Sequence, residues 1–222
     1  MDHRTIASRL RRMGLSALLL TAPAFAGPPL LCDPFDTAGA PSLPWGGDRW
    51  NQPLAGYDRT RLVEGTQALL TPQTPVIARM ETLRRAAMYA SRDGGIARAL
   101  ARALDARVAT AGDDDARALA LFDAGYLRET FEDVVRLQGY DMPGFGEVDA
   151  AALRVLLDGR EGSEEIARAL ALRPGDAAMH FAAALVARAD GRRHDAVRHA
   201  RLARAGGDGD RLPAGNMALL AN

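Results

Sequence analysis

The chain of 222 residues carries 28 arginines and no lysine against 28 aspartates and glutamates, a formal net charge of zero. That balance argues against a nucleic-acid binder, which needs surplus cations to displace counterions from phosphates, and against a polybasic membrane-surface protein. With 48% hydrophobic and 25% charged residues the composition excludes a disordered chain and fits one domain, or at most two, with a sizeable core.

Residues 1–26 read as an address. Arg4, Arg9, Arg11 and Arg12 make a cationic start, Met13 to Ala22 an apolar run, and Pro23 breaks it before the small-x-small Ala24-Phe25-Ala26. A run of about ten residues is too short to cross a bilayer. This is the pattern of a cleaved Sec-type signal peptide, and it predicts a periplasmic or secreted bacterial protein starting near Gly27. Removing four arginines and Asp2 leaves 24 positive and 27 negative groups, a net charge of −3. No later stretch is apolar enough to span a membrane. Cys32, the single cysteine, excludes an internal disulfide framework. It reads as a buried apolar residue, with pairing between chains or lipidation as alternatives.

Residues 27–56 hold six of the twelve prolines and both tryptophans, Trp45 and Trp50. Proline removes backbone donors and fixes φ, so this stretch cannot be a helix or an inner strand. A solvated linker would not carry Phe35, Leu43, Trp45, Trp50 and Tyr57. The pattern predicts an extended arm whose aromatics dock on the protein's own helices or on a partner.

From Tyr57 onward the chain is helical in pattern, and 44 alanines supply strong helix formers. Asp58 is placed to cap a helix through about Leu70, and Thr74-Pro75 is a start signal for the next. Val76, Met80, Leu83, Ala87 and Ala90 form one stripe, which puts Glu81 and Arg85 as an i,i+4 pair on the solvent side. Asp93-Gly94-Gly95 ends that element. Ile96, Leu100 and Ala103 begin the stripe of a third, through about Val108, and Asp113-Asp114-Asp115 suits a helix start. Gly125 is expected to separate a helix holding Leu119 and Phe122 from one holding Leu127, Phe131 and Val134. Gly139–Gly146 breaks the chain again. Gly159 follows Gly125 by 34 residues and Gly191 follows Gly159 by 32, a spacing typical of helical repeats.

Residues 177–210 resemble a tetratricopeptide repeat, with Ala184, Gly191, Ala196 and Ala203 at the places where that family has small residues and glycine. A less regular unit counted from Pro143 places Ala150, Ile166, Ala169 and Pro174, with Gly162 for an alanine. A weaker one over 110–142 has Ala118 and Gly125, with Thr130 where alanine is expected. The resemblance implies an all-α fold of antiparallel hairpins stacked as a right-handed superhelix, behind the Pro/Trp-rich arm. The divisions would be a leader (1–26), the arm (27–56), N-terminal hairpins (57–142) and repeat-like hairpins (143–222). An irregular alanine-rich helical bundle is the competing architecture. The segment CDPFDTAGAPSLPWGG (32–47) followed by PVIARMETLRRAAMYA (75–90) is also similar to a group of uncharacterised exported bacterial proteins, a resemblance that implies no activity.

Reactive side chains are scarce. After the leader there are three serines, three histidines, one cysteine and no lysine, and no G-x-S-x-G, H-E-x-x-H, C-x-x-C, phosphate-loop or calcium-loop pattern. His194 and His199 are five apart and diverge on a helix, so no metal site follows from them. Three consecutive aspartates at 113–115 point in different directions. Asp33 and Asp36, with Trp45 as a stacking platform, are the candidate carboxylates of a carbohydrate-active enzyme, although beside Pro34 they equally cap turns. Arg84-Arg85, Arg98-Arg102 and Arg192-Arg193 could meet an acidic partner or pair along their own helices.

These features favour an exported helical-repeat scaffold for a protein or peptide, either its own arm or a partner's segment, with no enzyme activity, cofactor or nucleic acid expected. The residues for partner binding or arm docking are Phe35, Trp45, Trp50, Tyr57, Arg84 and Arg85. A carbohydrate-active enzyme and a structural envelope subunit are the alternatives.

Overall fold

The computed structural model describes residues 27–137, 146–206 and 214–221. The leader (1–26) and most of the glycine-rich break (139–145) lie outside them. Among the described residues every regular element is helical and no strand occurs. A 3-10 turn, Arg59–Arg61, leads into α1 (Leu62–Leu69), followed by α2 (Val76–Ala90), α3 (Gly94–Thr110), α4 (Asp114–Arg136) and α5 (Ala150–Leu157). Then come α6 (Gly162–Leu172), α7 (Ala177–Ala189), α8 (Arg193–Ala205) and the short α9 (Ala214–Ala218). None of these helices is long and apolar enough to cross a membrane.

Aspartates start the helices. Asp93, Asp113, Asp149 and Asp176 each accept from a first-turn N–H of α3, α4, α5 and α7, satisfying donors that have no partner within the helix. Asp58 does so only for the 3-10 turn, through Thr60, so α1 starts later than expected. Thr74 does not cap α2. Its hydroxyl donates to the Leu69 carbonyl at 2.7 Å and closes the preceding loop.

The core is built around α2 and α4. Every residue of α2 except Arg85 is buried, and so is α4 from Ala118 through Phe131. The α2 stripe from Val76 to Ala90 is buried as expected, but the opposite side is buried too, and Glu81 has no exposed surface at all. Stripe logic assumes one wet face. Here α1, α3, α4 and α7 pack on α2, and residues 27–57 cover what remains. A helix enclosed on all sides is ordinarily apolar; this one carries charges that meet opposite charges. Arg79 Nη1 lies 2.6 Å from Asp123 Oδ2 across the α2–α4 contact, both side chains fully buried. On α3 the buried line runs through Ala97, Leu100, Ala101 and Leu104, leaving Ile96 and Ala103 partly exposed.

Gly125 is not a turn. Helix α4 runs through it without a break, because the missing side chain serves an approach rather than a bend. A Cβ on Gly125 would sit 2.5 Å from the Gly162 carbonyl oxygen of α6, and one on Gly162 would collide with the Gly125 carbonyl. The two backbones therefore cross in contact, and α6 packs mainly on α4. The hairpin expected between the helices flanking Gly159 is replaced by this pairing. Helix α5 lies against α4 and α3 and barely touches α6.

Helices α7 and α8 do form an antiparallel pair, turning at Gly191 with φ +72°. Ala184 and Ala203 are buried between elements. The histidines that meet are His180 and His199, 19 residues apart, with their Nδ1 atoms at 3.0 Å. His180 Nε2 is 3.0 Å from the Pro174 carbonyl, which only accepts, so a neutral His180 carries its proton there. Its Nδ1 then accepts from His199 Nδ1, and His199 Nε2 accepts from Arg198 at 3.2 Å. Burial pushes the His199 pKa down to about 4, and the Arg198 and His180 charges add to the effect.

Two outcomes follow. Gly125→Ala forces backbone from backbone and should destabilise the protein by about 1–3 kcal/mol in urea denaturation, whereas glycine to alanine inside an unobstructed helix stabilises it. For His199 the native ring stays neutral below the pH at which the unfolded ring protonates, so the unfolded state binds the extra proton. Stability is then complete above about pH 6.5 and falls between there and pH 4. The loss is on the order of 1 kcal/mol after screening of this partly exposed ring. Melts across pH 4–7.5 should show a slope that His199→Asn reduces.

Candidate functional site

Two places gather polar chemistry. The first is the face of α2 under residues 27–57. Glu81 accepts from Arg84 Nη2 at 2.7 Å, from Arg85 Nε at 2.6 Å and from the Phe35 N–H at 3.1 Å. Burial pushes its carboxyl pKa up, yet the two guanidiniums and the Phe35 amide outweigh that and hold it below the usual range. The same arginines reach beyond Glu81 to the segment's carbonyls. Arg84 Nη1 donates to Leu31 O at 3.2 Å and Trp50 O at 3.3 Å, and Arg85 Nη1 donates to Leu43 O. Tyr89 donates to Pro44 O at 2.8 Å and accepts from the Leu54 N–H at 3.0 Å. The segment lacks a partner strand, so these side chains replace a ladder.

The aromatics complete the contact. Trp45 meets Tyr89 edge to face at 5.5 Å and lies under Arg84 at 5.2 Å and Arg85 at 5.8 Å. Tyr57 stacks on Tyr89 at 4.1 Å, Phe35 packs edge-on against Phe181 of α7 at 6.1 Å, and Trp50 packs partly buried against the core. All six residues singled out in the sequence thus lie on or beside this face. Missed were Glu81, Tyr89 and Asp133, whose Oδ2 accepts from the Leu30 N–H at 3.1 Å. The Phe35-to-Glu81 bond joins residues 46 apart, a distance no helical periodicity registers. Asp36 caps its own turn by accepting from the Ala38 N–H at 2.9 Å, and its backbone pairs with Asn216. Cys32 is partly buried, which with the nearby aspartates pushes its thiol pKa up to about 11, and it stands as an inert packing group.

The second place is an acidic cleft of about 560 Å³ between α4, the α5–α6 turn and the α7–α8 turn. Glu129 and Glu132 come from α4, and Asp190 follows α7. The Gly125–Gly162 crossing brings the α6 N-terminus onto Glu129, where the Ser163 backbone favours the charged carboxylate, while Glu161 makes no side-chain cap. Glu129 is 2% exposed, and its Oε2 has no hydrogen-bond partner. Burial, with Asp190 and Glu132 close by, pushes its pKa up to about 8. Arg136 holds Glu132 at 2.9 Å, Asp133 at 2.9 Å and Asp190 at 2.6 Å, and Arg192 holds Asp190 at 2.9 Å. Glu129, Glu132 and Asp190 each offer one oxygen within 4.8 Å of the others, a set that could hold a cation. No sequence motif announces this cluster, because its members are 61 residues apart at the extremes.

No protein-family model matches the chain, and no curated protein or solved structure matches it.

Glu129 binds a proton more tightly folded than unfolded, so its ionisation withdraws stability as pH rises from about 4.5 through 8. In buffer containing a chelator, Glu129→Gln should therefore raise the melting temperature by several degrees at pH 8.5 and leave it nearly unchanged at pH 5.

Proposed function

We propose that this chain is an exported helical-repeat protein that acts as a protein- or peptide-interaction scaffold in the cell envelope and performs no catalysis. The observation that carries it is the capture of an extended, proline-rich segment by helix side chains that bind its main chain. Carbonyls of Leu31, Leu43, Pro44 and Trp50 and N–H groups of Phe35 and Leu54 are all taken by Glu81, Arg84, Arg85 or Tyr89. Main-chain contacts supply affinity while pockets for alternate side chains supply selectivity, the division of labour of peptide-binding grooves. In this chain the occupant is its own arm, with Leu30, Leu31, Phe35 and Leu43 in the core.

Support for a repeat comes from the α7–α8 pair, with Gly191 at the turn and Ala184 and Ala203 buried. The α4–α6 pair acts as its neighbour, since α6 and α4 both pack on α7. Export is supported by the cationic, apolar and small-residue order of residues 1–26.

Both tryptophans lie in the arm, so intrinsic fluorescence reports its docking directly. Produced as two pieces, 27–56 and 57–222, the protein should reassemble one to one and recover the emission of the intact chain. Arg84→Ala leaves Glu81 buried beside a single guanidinium, a loss of about 3–5 kcal/mol. It should weaken reassembly at least a hundredfold and, in the intact chain, red-shift the emission and expose 27–56 to protease. Pieces that fold yet do not associate would overturn the scaffold assignment.

A further inference from the structure

We propose that Glu129, Glu132 and Asp190 form a binding site for a hard divalent cation, calcium ahead of magnesium or manganese, that fastens α4 to the α7–α8 turn. The donors are three carboxylates from two elements, with one oxygen of each within 4.8 Å of the other two. Oxygens bound to one calcium at about 2.3–2.6 Å lie no more than about 5 Å apart, so a single ion spans the set. The cluster holds no histidine or cysteine, which selects hard cations over zinc or copper.

A second observation is independent of the clustering. Glu129 is 98% buried by its 2% exposure, its Oε2 has no hydrogen-bond partner, and it faces the cleft. An orphaned carboxylate oxygen in a buried position is costly unless something binds it. None of the arginines around the cleft forms an ion pair with it: Arg136 contacts Glu132, Asp133 and Asp190, Arg192 contacts Asp190 and Asp195, and Arg160 contacts Asp105. Around the cleft Glu129, Glu132, Asp133, Glu161, Glu164 and Asp190 are thus six carboxylates against the three guanidiniums of Arg136, Arg160 and Arg192, with Arg160 shared with Asp105 and Arg192 with Asp195. Arg136 and Arg192 orient Glu132 and Asp190 by some of their oxygens, and a divalent ion balances the remaining charge. The cleft's about 560 Å³ leaves room for waters to complete six to eight ligands.

The test uses the whole mature chain, stripped with EDTA and titrated calorimetrically with CaCl2, MgCl2 and MnCl2 at pH 7.5. The expected result is one calcium per chain, bound at least tenfold more tightly than magnesium, with a melting temperature that rises with calcium concentration. Glu129→Gln and Asp190→Asn should each weaken calcium at least tenfold while keeping the wild-type circular dichroism. Glu164→Gln, on the rim of the same cleft but outside the cluster, should bind as wild type does. Absence of both binding heat and thermal shift with all three salts at 10 mM, or calcium binding by Glu129→Gln equal to wild type, would overturn the site. The wild-type titration decides the matter even where a variant fails to fold.

Discussion

A carboxylate sealed inside a helical core must find positive charge, and Glu81 is the point on which that demand falls hardest. It is fully buried on the most enclosed helix and takes two guanidiniums and one backbone amide. Arg84 and Arg85 are held in place by Glu81, and because they are held they present spare N–H groups in fixed directions. Those directions meet carbonyls of the N-terminal segment. An ion pair inside α2 thereby sets where thirty residues of non-helical chain run.

The same rule recurs along α4. Asp123 meets Arg79 of α2, and Arg128 meets Asp105 of α3 at 2.5 Å and Glu165 of α6. Asp133 meets Arg136 and the Leu30 amide. Each central helix is thus tied to its neighbours by buried charge as well as by apolar contact. Well-packed hydrophobic groups would stabilise such positions as well or better, but half of a pair left alone would not be tolerated. Glu129 stands out against this pattern: Asp123 also has one unpartnered oxygen, Oδ1, but meets Arg79 through the other, whereas no ion pair to Glu129 occurs among the described residues. Its position follows from the Gly125–Gly162 crossing, which brings the first turn of α6 against the Glu129 side chain. A backbone contact between two glycines thus shapes the acidic cleft beside it.

Helical class was legible because it depends on local terms: alanine content, capping aspartates and apolar stripes. The non-helical nature of 27–56 was legible for the same reason, since proline acts on its own residue and its neighbour. The tryptophans and arginines of the α2 face stood out by residue type. Burial of Glu81 did not. A Glu–Arg pair four apart looks the same on a wet face and in a core, and only the covering segment distinguishes them. Gly125 failed for a related reason, as a glycine permits both a turn and a close approach, and the choice belongs to the element that crosses it. Spacing relates His199 to His194 on its own helix, whereas its partner His180 lies on the helix before.

What the sequence determined by itself is the helical class, a helix start such as Asp113 and the proline-rich stretch before the helices, because each arises from interactions within a few residues. Which helix pairs with which, which charges are buried, and the meeting of Glu129, Glu132 and Asp190 were decided by tertiary structure alone. Those facts depend on distances across packed surfaces, and such distances leave no periodic trace along a chain.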